Sequence, residues 1–295
     1  MLSISRNPFL QEFKLPQLSS SQALQILRED LVHPFTGGNK WRKLKYNLID
    51  LREQNKNTLL TFGGAFSNHL IACASAGNQL GIKTIGIIRG DEVLNPCINY
   101  LKEMGMNLLF VSREDYRRKT EFEIQQLWID ILKEKIIINS YDNLFILPEG
   151  GSNQAAVLGT SEMAEQITDK IIFIAAGTGA TAAGISKGLK PDQQLHIIPV
   201  LKAEKFMSTE IAKLGGDLSK IIFHHDYHFG GYAKTTQELT NFCRDFYLLN
   251  QIQLEPVYTG KVFFALQDLL KKGTFPTNTS ITAIHTGGIY PFYPY

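Results

Sequence analysis

The sequence predicts an α/β protein built on parallel sheets. Three observations carry this. Short apolar, β-branched runs alternate along the chain with longer amphipathic ones, the order that puts helices on both faces of a parallel sheet. Runs such as IIFIAA (171–176) lack period-two alternation, as strands covered on both faces should. Four strand-like runs end directly in glycines, and open α/β sheets place ligands outside the carboxyl ends of their strands.

The elements follow in order. HPFTGGNKWRKLKYNL (33–48) reads as a glycine turn feeding a helix. TLLTFGG (58–64) is a buried strand, and SNHLIACASAGNQLG (67–81) a helix that stops at Gly81, where glycine takes the left-handed cap. KTIGIIRG (83–90) is a strand, NPCINYLKEMG (95–105) a helix and NLLFVS (107–112) a strand. The charged stretch 114–135 reads as one long helix. LFILPEGG (144–151) is a strand into glycines, and SNQAAVLGTSEMAEQI (152–167) a helix. KIIFIAAGTGAT (170–181) is a strand into a third glycine loop. LHIIPV (195–200) and KIIFHH (220–225) are strands, and residues 234–250 and 261–273 are helices. SITAIHTGG (280–288) closes the sheet and again ends in glycines. No internal repeat, low-complexity tract or Pro/Gly/Ser-rich linker breaks the chain, so domain boundaries are weakly marked.

The chain has 295 residues, enough for one large domain or two intimate ones. A net charge of +2 sets up no strong field for nucleic acid or an anionic membrane. The basic cluster of Lys40, Arg42, Lys43 and Lys45 is therefore local. Cys73, Cys97 and Cys243 are far apart, with neither CxxC nor metal-ligand spacing, which fits a reducing compartment. No N-terminal apolar h-region and no membrane-length apolar run is visible. The expectation is a cytoplasmic protein.

The glycine-ended strands are GGAFSN, PEGGSN, AAGTGATAAG and HTGG. One such loop alone is a tight turn; four, with GGNK (37–40), point to a shared site. In AAGTGATAAGI, Gly177, Gly179 and Gly184 let backbone N–H groups approach an anion, and Thr178 and Thr181 add hydroxyls. The helix that follows points its positive end at the ligand. No GK[ST] follows, so this is not a P-loop, and a dinucleotide reading has only Gly177-Thr178-Gly179 in its favour. A cradle for one phosphate beside an amine suggests pyridoxal phosphate, whose aldehyde needs a lysine and whose phosphate needs an anion pocket.

From about residue 22 onward, REDLVHPFTGGNKWRKLKY, GGAFSNH, GTGAT, EPVYTGK and HTGG occur in one order. In this the chain resembles the 1-aminocyclopropane-1-carboxylate deaminase and D-cysteine desulfhydrase family of pyridoxal-phosphate enzymes. The resemblance implies the tryptophan-synthase-β-like fold (fold type II), with two intimately packed open parallel-sheet domains. Residues 1–44 with 157–295 would form the larger, cofactor-binding domain and 45–156 the smaller one. It implies a homodimer as well. The family's Schiff-base lysine follows Gly-Gly-Asn and is Lys40 here, behind Asn39. Arg42 and Lys43 would supply positive potential, Lys43 toward the cofactor, while a solvated or salt-bridged face is preferred for Arg42 and Lys45. Asn68 would donate to the cofactor's ring oxygen. Ser67 would sit over the substrate carboxylate or Cα, with His69 behind them; a Ser-Asn helix cap accounts for the same residues, and both can hold. Gly177, Thr178, Gly179, Ala180 and Thr181 would bind the phosphate. Tyr232 (GGYAK) and Tyr258 (PVYTGK) match two active-site tyrosines of the family, against a plain reading as packed core tyrosines.

Two positions separate the family's branches. Cyclopropane deaminases typically carry Glu after the tyrosine of PVY and Leu in the H-x-G-G segment; here stand Thr259 and Thr286, similar to the desulfhydrase branch. A carboxylate at the pyridine nitrogen would keep it protonated and the ring strongly electron-withdrawing. A threonine hydroxyl only hydrogen-bonds it, which suffices for expelling a good leaving group such as thiolate. The implied reaction is β-elimination of D-cysteine to pyruvate, sulfide and ammonia. Lys40 would take the Cα proton and Tyr258 would protonate the sulfur. Two departures stand out: Phe66 replaces the usual Gln before Ser-Asn, and Ile71 replaces an Arg in the following helix. Phe66 beside the substrate would favour a bulkier or less polar β-substituent. The C-terminal IYPFYPY is unusually aromatic. The alternatives are cyclopropane deamination and, from another class, a protein that binds pyridoxal phosphate or an amino acid without turnover.

Overall fold

The computed structural model describes residues 4–16, 22–135, 137–138, 140–202 and 204–292, with backbone alone at 204 and 205. Of the aromatic C-terminus, Ile289 to Phe292 are described and the last three residues lie outside. The described strands are β1 (Leu10–Glu12), β2 (Leu24–Leu27), β3 (Thr58–Gly64), β4 (Lys83–Arg89), β5 (Asn107–Val111), β6 (Leu144–Ile146), β7 (Ile171–Ala176), β8 (Gln194–Pro199), β9 (Ile221–Phe223) and β10 (Ile281–Ile284). The helices are α1 (Asn39–Glu53), α2 (Asn68–Leu80), α3 (Pro96–Glu103), α4 (Arg113–Arg117), α5 (Phe122–Glu134), α6 (Gln154–Ser161), α7 (Ala180–Gly188), α8 (Glu204–Lys213), α9 (Gln237–Asn250) and α10 (Thr259–Lys271). Two compact units result: residues 44–152, and residues 4–43 with 153 onward. The division falls inside α1, between Lys43 and Leu44.

The smaller unit is a parallel four-stranded sheet in the order β5-β4-β3-β6. All but the last residue of β3 are buried, which is why TLLTFGG shows no polar alternation. Leu60, Phe62, Ile85, Ile87, Leu109 and Val111 share one cluster with Ile124, Trp128, Ile129 and Leu132 of α5. The single helix predicted over 114–135 is instead two, α4 and α5. Between them Arg118 closes α4 and Glu121 precedes α5, their side chains paired at 2.7 Å across the turn, and Tyr116 of α4 joins the same cluster as α5.

The larger unit is a six-stranded sheet in the order β1-β2-β10-β7-β8-β9. Every pair is parallel except β1 with β2. Its central strand β7 is buried throughout and feeds two cores. Ile171, Phe173 and Ala175 join Phe242, Phe246, Val262 and Phe263 on one face. Ile172, Ile174 and Ala176 join Val157, Ala182, Ile185 and Ile211 on the other, as the two-residue period of a strand requires. The helix predicted over 152–167 also stops early. α6 ends at Ser161 and a 3-10 turn covers 164–166. There α7 comes so close that a Cβ on Gly188 would lie 2.7 Å from the Ser161 carbonyl oxygen.

Candidate active site

In the larger unit the glycine turn, the last strand and the start of α1 meet. Gly38 has φ +65, and a Cβ there would lie 2.0 Å from the Thr286 carbonyl oxygen; only glycine permits that approach. The Asn39 amide donates to the same oxygen at 3.4 Å. Thr286 is 8% exposed, and among the described residues its hydroxyl has no hydrogen-bond partner. Lys40 Nζ donates to Asn39 Oδ1 at 2.9 Å, and Asn39 Nδ2 donates to Thr181 Oγ1 at 3.0 Å. The Asn39 amide thus ties the Lys40 ammonium to the first turn of α7. Lys43, three residues on and so on the same helix face, reaches Thr178 Oγ1 at 3.4 Å. Burial, and then the positive charge of Lys40, hold its pKa well below the usual lysine range.

Arg42 turns elsewhere. It is buried rather than solvated, and it bridges Glu29 and Glu162 at 2.8 Å each. This ion triad anchors α1 to the turn at residues 29–31 and to the end of α6. Burial raises the Glu29 pKa while Arg42 opposes the rise.

The loop after β7 supplies the anion donors. Gly179 takes φ +85 as the N-cap of α7, with no side chain capping the helix. The first N–H groups of a helix lack intrahelical acceptors and carry its positive dipole end. Ala180 and Thr181 begin that helix and are buried. A Cβ on Gly177 would meet the Tyr258 ring at 3.3 Å, so the loop backbone lies under this tyrosine. Gly184 has a different reason from the one read in the sequence. It sits inside α7, and its Cβ would lie 2.0 Å from Thr160 Oγ1 of α6. It serves helix packing, not the approach of an anion.

Tyr258 is the N-cap residue of α10, and its ring meets that of Tyr232 edge-on at 6.0 Å. Thr259 departs from the sequence reading, which put its hydroxyl against a ring nitrogen. It has no accessible surface, and its hydroxyl donates to Glu255 Oε1 at 3.0 Å. Glu255 also accepts from the amides of Val257, Tyr258 and Thr259 at 2.6–3.0 Å. Burial pushes its pKa up to about 7 against those donors. The sequence reading missed Glu255 as the group that shapes this turn. An acid just before a helix start was the available signal.

In the smaller unit, Ser67 caps α2, its Oγ accepting from the Leu70 amide at 3.3 Å, and Asn68 is the first helical residue. A Cβ on Gly63 would lie 2.7 Å from Ser67 Oγ, so that glycine makes room for the cap. His69 is buried and its Nε2 lies 2.8 Å from Thr61 Oγ1. Thr61 gives its own proton to the Leu147 carbonyl at 2.8 Å, so the histidine must be the donor and is the Nε2–H tautomer. Cys73 Sγ is 3.7 Å from that nitrogen. His69 therefore pins α2 to β3. Phe66 is 59% exposed at the loop tip, and Ile71 is fully buried.

The larger unit thus gathers two lysine side-chain amines, two threonine hydroxyls and an uncapped helix start, the donor set for a phosphate beside an amine. Residues 2–287 match the family described as pyridoxal-phosphate dependent enzymes. The chain belongs to that family. Its cofactor is pyridoxal 5'-phosphate, and the donor set around Thr178 fits it. A Pyrococcus furiosus protein named "Putative 1-aminocyclopropane-1-carboxylate deaminase" is 32% identical over 298 residues, covering 93% of this chain and 88% of its own length. An Arabidopsis thaliana protein named bifunctional D-cysteine desulfhydrase/1-aminocyclopropane-1-carboxylate deaminase, mitochondrial, is 29% identical over 96% of this chain and 77% of its own. A crystal structure described as an ACC deaminase homologue matches with a TM-score of 0.74 at 27% identity, over 95% of this chain and 92% of the other. Among the described residues no helix is long and apolar enough to cross a membrane, and Cys73, Cys97 and Cys243 are buried and form no disulfide.

Proposed function

We propose that this pyridoxal-phosphate enzyme eliminates sulfide from D-cysteine: D-cysteine and water give pyruvate, ammonia and hydrogen sulfide. The observation that carries the reading is Thr286: its carbonyl accepts from the Asn39 amide, and its hydroxyl has no hydrogen-bond partner among the described residues. Offered to the pyridine nitrogen, it hydrogen-bonds but leaves no carboxylate there. The neighbouring acid, Glu255, is spent on the backbone of residues 257–259. When bound, the cofactor withdraws electron density from the substrate Cα. A nitrogen without a carboxylate limits that pull, which suits a thiolate leaving group better than a cyclopropane carbon.

The remaining work belongs to the chain. The α7 amides, Thr178, Thr181 and Lys43 hold the phosphate; Asn39 orients Lys40. Lys40 Nζ would be the amine that holds the cofactor, and would take the proton from the substrate Cα. Tyr258 donates a proton to the departing sulfur, with Tyr232 beside it. In the smaller unit, the amides at the start of α2 and the Ser67 hydroxyl are assigned to the substrate carboxylate, and Asn68 to the cofactor ring oxygen. The protein is proposed to work in the cytoplasm as a homodimer. Cyclopropane deamination is the second reading, favoured by the naming of the archaeal relatives.

The test assays purified holoenzyme with D-cysteine, L-cysteine and 1-aminocyclopropane-1-carboxylate, following sulfide and 2-oxo acid. Sulfide and pyruvate from D-cysteine alone support the proposal. A 2-oxo acid from the cyclopropane substrate replaces it with the second reading. Silence on all three, with cofactor bound, leaves a non-catalytic binder or a different β-substituted amino acid. Lys40→Ala should abolish the bound-cofactor absorbance band; an unchanged band sinks the assignment of Lys40.

A further inference from the structure

Lys261 breaks two local rules. It is the third residue of α10, where a cation faces the positive end of the helix dipole. It is also fully buried, and buried ammonium groups are costly without good partners. Its hydrogen-bond partners are two backbone carbonyls, His228 at 2.9 Å and Gly231 at 3.0 Å. Burial pulls its pKa down to about 8, with the Glu255 carboxylate pulling the other way. Local violations of this kind mark positions where function outweighs stability.

The segment it grips is unusual. Phe229 (φ 53), Gly230 (φ 93), Gly231 (φ 119) and Ala233 (φ 56) all have positive φ. For Phe229 and Ala233 that conformation is strained. The next residue after the gripped Gly231 carbonyl is Tyr232, whose ring meets Tyr258 at 6.0 Å. Tyr258 caps the helix that carries Lys261. One ammonium group therefore links the backbone beside one tyrosine to the first turn behind the other. Two other ties hold the same turn farther from Tyr232. Tyr227 Oη donates to Asp268 at 2.6 Å, and Phe229 packs edge-on against Phe264 at 5.1 Å.

We propose that Lys261 is a positioning residue that sets Tyr232 against Tyr258 by holding the His228 and Gly231 carbonyls from the first turn of α10. This rests on assigning both tyrosines to the active site. A bare hydrophobic contact could stabilise the turn; it could not orient the peptide before Tyr232, whose Gly231 carbonyl accepts one directional bond from Lys261 at 3.0 Å beside the weaker one from the Lys234 amide at 3.2 Å.

The test uses holoenzyme. Lys261→Met removes both bonds and keeps the stem. Tyr227→Phe is the control, loosening the same turn without touching the Gly231 carbonyl. Each is measured alone and with Tyr232→Ala, by amide hydrogen exchange over residues 229–233 and by kcat/KM. Lys261→Met should speed exchange there and lower kcat/KM on the order of tenfold, the coupling of residues acting through one another. That loss should vanish in the Tyr232→Ala background. Tyr227→Phe should lower the melting temperature and act equally in both backgrounds. Equal losses from Lys261→Met in both backgrounds, or unchanged exchange, overturn the proposal. If Lys261→Met does not fold, Lys261→Arg, which keeps donors on a longer stem, is read by the same criteria. If the unmutated holoenzyme turns over no amino acid, the activity assignment fails by itself. The cycle is then read from exchange and from the spectral response of the bound cofactor to D-alanine.

Discussion

His196 should make the protein lose stability in mild acid. It lies on β8, 4% exposed, between the rings of Phe173 (4.8 Å) and Phe275 (5.3 Å). Its Nδ1 is 2.9 Å from His224 Nε2, and its own Nε2 has no hydrogen-bond partner among the described residues. One ring must donate and the other accept, so the pair is held neutral. Burial, aided by the positive charge His224 would carry, drives the His196 pKa from 6.5 down to about 4. In the unfolded chain it returns to about 6.5. Below pH 6.5 the unfolded state therefore binds a proton that the folded state refuses. Stability is full above that pH and falls until the folded group titrates near pH 4. The complete loss is about 3 kcal/mol, of which about 2 kcal/mol is gone by pH 5. For a chain of this length that corresponds to roughly 3 °C in melting temperature. The assay is thermal unfolding of holoenzyme and of His196→Phe from pH 7.5 to 5. The wild type should lose about 3 °C more than the variant over that span. Parallel curves would mean that His196 titrates normally, and the reasoning from burial would fail.

Lys43→Met should weaken cofactor binding by about tenfold to a hundredfold, the worth of one charge-assisted bond to phosphate; titration of apoprotein with cofactor, followed by absorbance, reads it. Gly38→Ala puts a Cβ 2.0 Å from the Thr286 carbonyl oxygen at φ +65. It should destabilise by at least about 2 kcal/mol and abolish cofactor retention, read by urea unfolding and by absorbance. Arg42→Met leaves Glu29 buried beside Glu162 and should cost about 3–5 kcal/mol. Adding Glu29→Gln should return part of that loss in the same urea titration, and no recovery would refute the triad as the cause.

Much of the fold was legible because its signals are local. The unbroken apolar run of β7, the glycine that stops α2 and the strand-to-glycine punctuation each depend on a few adjacent residues. What escaped depends on distant partners. β1 and β2 are three and four residues long, and β2 finds its parallel partner only at β10; nothing within four residues records that. α8 went unread because its buried apolar face rests on Met207 and Ile211 alone among the described side chains.

The site shows the same limit at finer scale. Gly177 and Gly184 are equivalent in the string AAGTGATAAGI, yet one lies under the Tyr258 ring and the other lets two helices touch. Only the placement of α6 separates them. Thr259 and Thr286 were likewise read as one pair facing the cofactor ring. Glu255, four residues before Thr259, captures that hydroxyl because the start of α10 needs an anion on its open amides. Thr286 follows a strand, with no helix start to serve, and its hydroxyl stays available. The argument for a thiolate leaving group therefore rests on Thr286. Thr259 contributes by being absorbed: it completes the shell that keeps the Glu255 carboxylate turned to the backbone.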